Sequence, residues 1–342
     1  MKHKIYLCLF LILVVFSGRA QIGGETTYQF LELTNSARVA ALGGTQIALT
    51  DSSDLNLPFH NPALLDKGMH NHVLANYVNY FADINFGYAS YARHFNGIGN
   101  FALGVHYINY GDFKEASEQG ELTGIYFNAA EYAVNLIYSD RYGRLSYGIN
   151  LKPVFSNFES YRSFGLAADL GVNYSSKDNL THVALVARNM GTQVTTYYQD
   201  GNREPIPLNV QAGISTRLKY APLIFSLTMQ HLNNWDLAWS ESEKEQTLES
   251  WYVRKESFTK QVMRHVVLGA EILPSDNFVI RAGYNYQRRQ ELKFDERLST
   301  VGFSMGFGLK INRFRFDFAT SRFHLAGSSN LFSLAINLNQ RF

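Results

Sequence analysis

"STVGFSMGFGLK", residues 299–310, repeats with a period of two. Val301, Phe303, Met305, Phe307 and Leu309 fall on one side; Gly302, Ser304, Gly306 and Gly308 fall on the other. Successive side chains of a strand point to opposite faces, so this stretch reads as a strand with one apolar face and one face of small residues. "RFRFDFA" continues the pattern, setting Phe314, Phe316 and Phe318 against Arg313, Arg315 and Asp317. In "SFGLAADLGVNY", Phe164, Leu166, Leu170 and Val172 oppose Asp169 and Asn173, and "LSYGINLK" sets Leu145, Tyr147, Ile149 and Leu151 against Asn150 and Lys152.

Working outward from these segments gives about fourteen strands. They fall near 72–80, 84–95, 99–109, 130–139, 144–155, 163–175, 180–190, 208–219, 223–231, 265–273, 277–287, 299–310, 312–321 and 331–342. Each approaches the ~9–11 residues that a tilted strand needs to cross a bilayer. The connections alternate in kind. Those after even-numbered strands are tight hairpins such as "NGI", "DRYG", "SKDN", "YAP" and "PSDN". Most of those after odd-numbered strands are long and polar, including "GDFKEASEQGELTGIYFNAA", "GTQVTTYYQDGNREPIP", residues 232–264 and "RRQELKFDERL". Short turns at one end and long loops at the other are the organisation of an outer-membrane barrel, and closure removes edges that lipid cannot satisfy. Phe342 ends the chain in phase with Phe332, Leu334, Ile336 and Leu338, as a barrel-insertion aromatic would. The expected fold is all-β: a monomeric, 14-stranded antiparallel outer-membrane β-barrel with an N-terminal hatch segment.

The N-terminus supports export. Lys2 and Lys4 precede the apolar run "IYLCLFLILVVF", and "GRA" offers small residues before Gln21, which together read as a signal peptide over residues 1–20. Cys8 is the sole cysteine and lies in that apolar run, so the mature chain is expected to use neither disulfides nor thiol chemistry. Losing Lys2, Lys4 and Arg19 moves the formal charge from +2 to −1, a balance that gives no reason to invoke nucleic acid. A soluble β-sandwich would also alternate. This many long strands, however, would leave it with large exposed apolar faces.

The remaining residues, 21–71, precede the expected barrel at 72–342. "SARVAALGGTQIALTDSS" has too little apolar mass for a core of its own, and "FHNPALL" follows it. Small residues can thread a lumen, Gly43 and Gly44 permit close backbone approach, and Asn61 with Pro62 sets a turn. The segment therefore reads as a hatch, meeting inward-facing His106, Lys152, Asp169, Arg217, Arg281, Arg315 and Asp317.

"ARVAALGGTQIALTDSSDLNLPFHNPALL" resembles the N-terminal signature of FadL-like outer-membrane proteins: an Ala/Gly-rich stretch, an Asp, then Asn-Pro-Ala. With "GGETTYQFLELTNS" before it, the stretch is similar more narrowly to the PorQ-type barrels of the type IX secretion system, relatives of PorV. The resemblance is specific over residues 23–65. It implies that Ala37, Arg38, Gly43, Gly44, Asp51, Asn61, Pro62 and Ala63 belong to a hatch blocking a fourteen-stranded barrel. The broader family implies uptake of fatty acids or hydrocarbons. The narrower group implies cargo delivery or attachment at the cell surface with PorV-, PorU- or PorZ-like protein partners, in the outer membrane of a Gram-negative bacterium and in contact with its lipid.

No residue pattern points to an enzyme. His106 and His265 lie on expected strands without a short serine motif beside them. His70 and His72 in "HNH" read as a polar approach to the first strand, because further ligands at metal spacing are missing. No cofactor is expected. The loop 236–262 is the candidate partner-binding element. Trp239, Trp251 and Tyr252 lie in it and Trp235 beside it, and such residues serve either binding hot spots or the membrane-interface girdle. The leading expectation is a secretion component that docks protein partners through its loops. The alternative is a transporter of hydrophobic small molecules. Polar residues on the inward faces count against a greasy path.

Overall fold

The computed structural model describes residues 26–80, 84–116, 122–198, 201–237, 257–292, 300–324 and 327–339. The expected signal peptide and Phe342 lie outside them. Fourteen strands run in sequence order: β1 (His72–Asn79), β2 (Asn85–Phe95), β3 (Gly99–Ala116), β4 (Leu122–Tyr142), β5 (Leu145–Phe158), β6 (Tyr161–Ser175), β7 (Thr181–Thr195), β8 (Asn209–Arg217), β9 (Leu223–Met229), β10 (Val266–Ser275), β11 (Phe278–Asn285), β12 (Phe303–Ile311), β13 (Phe314–His324) and β14 (Gly327–Asn337). Every neighbouring pair is antiparallel. β1 pairs with β2 on one side and with β14 on the other, His72 opposite Asn337 and Val78 opposite Leu331, so the sheet closes into a barrel.

Alternation makes this wall two-faced. Leu103, Leu136, Leu166, Leu170, Leu185, Phe303 and Met305 are exposed on the outside. Asn135, Asn150, Lys152, Asp169, Glu271, Arg281 and Asp317 are buried on the inside. An apolar outer band around a closed ladder suits lipid rather than water. The tight turns use residues that tolerate positive φ, such as Gly97 (φ 76°) in the β2–β3 turn and Asn312 (φ 50°) in the β12–β13 turn.

One expectation is corrected. Residues 111–130 read as a loop, but β3 and β4 extend through most of them as a tall hairpin with register shifts between Asn109 and Asp112 and between Lys114 and Ala116. Phe113 stacks on Phe127 there (centroids 5.4 Å apart). Beyond the apolar outer band the hairpin sets Phe113 and Tyr126 beside Asp112 and Lys114, so the ladder continues without the strict alternation that marks it lower down.

Candidate functional site

Residues 26–71 pass through the lumen from the loop end to the turn end. At the top, the Thr27 N–H donates to the Pro205 carbonyl (2.9 Å), and the Tyr28 hydroxyl is hydrogen-bonded to Ser163. Phe30 and Leu31 then pack against inward-facing Val78, Phe86, Ile108 and Leu331. The β1–β3 and β14 side of the upper lumen is thus apolar, whereas buried Glu131, Ser156, Ser163 and Gln193 keep the β4–β7 side polar, as the sequence expectation of a polar interior had it.

A short helix, Ala37–Ala41, follows. Ser36 caps it by accepting from the Val39 N–H (3.3 Å). Gly43 and Gly44, at φ 100° and 96°, end it, with the Gly44 N–H donating to Val39 O (2.9 Å) and the Gly43 N–H to Ala40 O (3.2 Å). This is the Schellman pattern, which left-handed residues at the helix end make possible. Wall serines satisfy groups the helix leaves open. Ser333 Oγ accepts from the Ala37 N–H, and Ser304 Oγ donates to Ala41 O and accepts from the Gly43 N–H, each at 3.0 Å. The small residues allow this approach: a Cβ on Gly283 would lie 2.1 Å from Gly43 N.

Arg38 leaves this helix into a closed ring of charges. Its Nε and Nη2 grip Glu271 of β10 at 2.9 and 2.7 Å, and its Nη1 lies 2.9 Å from both Asp51 and Asp54 of the hatch. Glu271 accepts from Arg281 of β11 (2.8 Å), Arg281 donates to Asp317 of β13 (2.7 Å), and Asp317 accepts from Arg315 (2.9 Å). Arg315 returns to Asp51 at 2.8 Å. The ring joins hatch to wall with three guanidiniums and four carboxylates. Burial alone would raise Asp51 and Asp54, but Arg315 and Arg38 outweigh it and hold both below the usual carboxylate range. Burial likewise opposes the charge on Arg38, and Glu271, Asp54 and Asp51 more than restore it.

The opposite wall holds the Asn-Pro-Ala turn. Asn61 Nδ2 donates to Ile47 O (2.8 Å), and its Oδ1 accepts from the Ala63 N–H (3.0 Å). The turn presses on β5 and β6, where a Cβ on Gly171 would lie 2.1 Å from Asn61 Oδ1 and one on Gly148 2.5 Å from Pro62 C. Between the two seats, Ser215 Oγ of β8 donates to Ala48 O (2.7 Å). Below the hatch a polar cavity of about 610 Å³ reaches the turn end, lined by Arg38, Asp51, Asn100, Arg217, Lys310 and Arg315 among others.

All eight hatch-signature residues therefore lie in one lumenal segment and meet the wall. Ala37, Arg38, Gly43, Gly44 and Asp51 face the β10–β14 side; Asn61, Pro62 and Ala63 face β5 and β6. The sequence reading missed their counterparts: Asp54, Glu271, Ser304, Ser333 and the glycines of the far wall. Glu271 carried a usable signal, since a carboxylate in the inward phase of "VVLGAEILPS" is buried in the barrel and requires a charged partner there.

Trp239, Trp251 and Tyr252 lie outside the described residues. At the base of their loop, Trp235 stacks on His265 with centroids 4.9 Å apart, and a helix, Phe258–His265, leads into β10. His265 lies against two carbonyls, Gln230 O (2.7 Å) and Trp235 O (3.3 Å). His106 is buried among Phe30, Phe59 and Phe86. His70 sits just before β1, and its Nδ1 accepts from the His94 N–H at 3.0 Å. Among the described residues, no group of three or more His, Cys, Asp or Glu converges as metal ligands.

His60 is buried in the hatch, and among the described residues neither ring nitrogen has a hydrogen-bond partner. Burial, aided by the Arg188 guanidinium, holds it well below its ordinary 6.5, so it is seated neutral. Unfolded chains protonate this group as pH drops through about 6.5, whereas the fold resists protonation. Its stabilising contribution is therefore complete above 6.5 and is lost as pH falls from there through the depressed folded value. His60→Leu is expected to reduce the loss of unfolding temperature between pH 7.5 and 5.5. An unchanged loss would assign the pH dependence to other groups.

No protein family and no curated protein matches the chain by sequence. Solved structures do match by fold. The toluene transporter TodX of Pseudomonas putida superposes with a TM-score of 0.53 at 12% identity, over 89% of this chain and 96% of that one. The toluene transporter TbuX of Ralstonia pickettii gives 0.51 at 12% identity, over 90% and 97%. The chain thus has the closed fourteen-stranded barrel fold of these channels.

Proposed function

We propose that this protein resides in an outer membrane and conducts small hydrophobic compounds across it when its hatch shifts. The observation that carries this reading is the apolar side of the upper lumen on β1–β3 and β14. Val78, Phe86, Ile108 and Leu331 share one buried apolar cluster with Phe30 and Leu31 of the hatch, so moving the hatch would uncover an apolar surface inside a closed barrel. The fold likeness to two toluene transporters supports the same reading. The test is uptake of labelled toluene and of a labelled long-chain fatty acid by cells that lack other hydrocarbon channels. Expression of the chain is expected to raise uptake of at least one several-fold. A disulfide between Ala37→Cys and Ser333→Cys, tying hatch to β14, is expected to abolish the gain. Uptake no higher than in empty cells, even after the hatch is loosened, would overturn the reading.

A second reading is supported by the hatch-signature resemblance and by exposed aromatics at the loop end. Trp235 and Phe258 are both exposed at the base of the long β9–β10 loop, beside one another at 5.9 Å. On this reading the barrel is a type IX secretion component docking PorV-, PorU- or PorZ-like proteins. Cross-linking in native outer membranes tests it. Surface proteins recovered on residues 232–264 favour docking, and a barrel recovered alone does not.

A further inference from the structure

We propose that the turn end of the barrel is a collar for the phosphate headgroups of an anionic phospholipid leaflet. The two ends differ in charge. The six turns hold four Lys or Arg and two Asp or Glu, whereas the seven loops, read on the sequence, hold ten basic against fifteen acidic residues.

Three turn regions spaced around the barrel place a cation over an aromatic ring. Arg93 lies over Phe95 (5.2 Å), Lys219 over Tyr220 (5.3 Å) and Arg313 over Phe314 (5.1 Å). These belong to the β2–β3, β8–β9 and β12–β13 turns. The rings are on the lipid side: Phe95 follows exposed Tyr91 in phase, Phe314 precedes exposed Phe316 in phase, and Tyr220 is 92% exposed. Ile98, Tyr142 and Ile311 add exposed apolar groups at the same level.

An aromatic ring settles at the boundary between acyl chains and headgroups. A long basic side chain anchored on that ring lays its stem on apolar surface and holds its charge at phosphate height. Arg93 and Lys219 are exposed on the outer rim, while half-buried Arg313 also lines a small pocket with His72 and Asn337; the two rim cations favour lipid over a periplasmic protein plugging the opening. Basic groups at this depth gain attraction from anionic lipid that a zwitterionic headgroup does not supply.

The test is native mass spectrometry of the full-length barrel in detergent, titrated with phosphatidylglycerol and phosphatidylethanolamine of equal chain length. The wild type is expected to retain phosphatidylglycerol about tenfold better, with the preference falling as salt screens it. The triple variant R93Q/K219Q/R313Q is expected to lose the preference, while the loop-end control K114Q/R162Q keeps it. Folding of each variant is checked by its heat-dependent gel mobility. If the triple variant fails to fold, the salt dependence of the wild type and the three single variants decide. A wild type without preference, a preference indifferent to salt, or equal loss in the control would overturn the proposal. So would a triple variant that keeps its lipid preference but loses an acidic periplasmic protein.

Discussion

Replacing Arg38 with methionine is expected to destabilise the seated hatch by about 3–5 kcal/mol, the usual cost of removing one partner from a buried ion network. The side chain is nearly fully buried and contacts three carboxylates, two of them, Asp54 and Glu271, at most 2% exposed. Methionine fills much of the volume but leaves four carboxylates facing two guanidiniums. A surface pair would contribute no more than about 1 kcal/mol, so a loss of that size would mean that solvent in the cavity below screens the ring as it would a surface pair. Three measurements follow: the thermal midpoint of the hatch, protease sensitivity of residues 36–65, and conductance in planar bilayers. The first is expected to fall, and the other two to rise. Arg38→Met with Glu271→Met should recover part of the loss, because it removes a stranded charge as well as a partner. Acid should not mimic the substitution at mild pH. Asp51 and Asp54 have folded pKa values below their ordinary 3.8. Their contribution is complete above that value and is lost only as pH falls through the depressed range. A wild-type hatch that opened near pH 5 by releasing this ring would contradict the geometry.

The barrel was legible because an apolar outer face around a filled lumen imposes a strict alternation on each strand. Phe303, Met305, Phe314 and Phe316 face out and Ser304, Arg315 and Asp317 face in, as their phases imply. The rule weakens where both faces are apolar. Val78 and Leu331 point into the lumen beside outward Tyr77 and Phe332, and such runs no longer announce which face is which. The apolar patch on β1–β3 and β14 is therefore not marked by phase. The rule also fails beyond the apolar band, where the β3–β4 hairpin mixes Phe113, Tyr126 and Phe127 with Asp112, Lys114 and Asn128. The hatch signature was legible as a group through composition and resemblance. Its receptors were not, because Arg38 and Glu271 lie 233 positions apart and one sequence carries no register between a hatch and a wall.

Placing valine at Gly171 is expected to unseat the Asn-Pro-Ala turn while leaving the barrel folded. A Cβ there would lie 2.1 Å from Asn61 Oδ1 and 3.1 Å from Pro62 Cδ, and valine adds two methyls beyond it. Overpacking of this kind costs about 1–3 kcal/mol. Its sign differs between the two structures in contact. β6 gains from a β-branched residue in place of glycine, so the wall has no reason to weaken. The hatch must retreat. Gly148→Val on β5 meets Pro62 and Ala63 from the neighbouring strand and should act in the same direction. Because this seat lies on the opposite wall from the charge ring, each single substitution should free one side of the hatch and leave the other held. Conductance is then expected to rise little in Gly171→Val alone and to rise in Arg38→Met/Gly171→Val by more than the two single effects together, since the lumen clears only when both seats let go. A double variant no more conductive than Arg38→Met would mean that the ring alone retains the hatch and that the Asn-Pro-Ala turn merely fills space against β5 and β6.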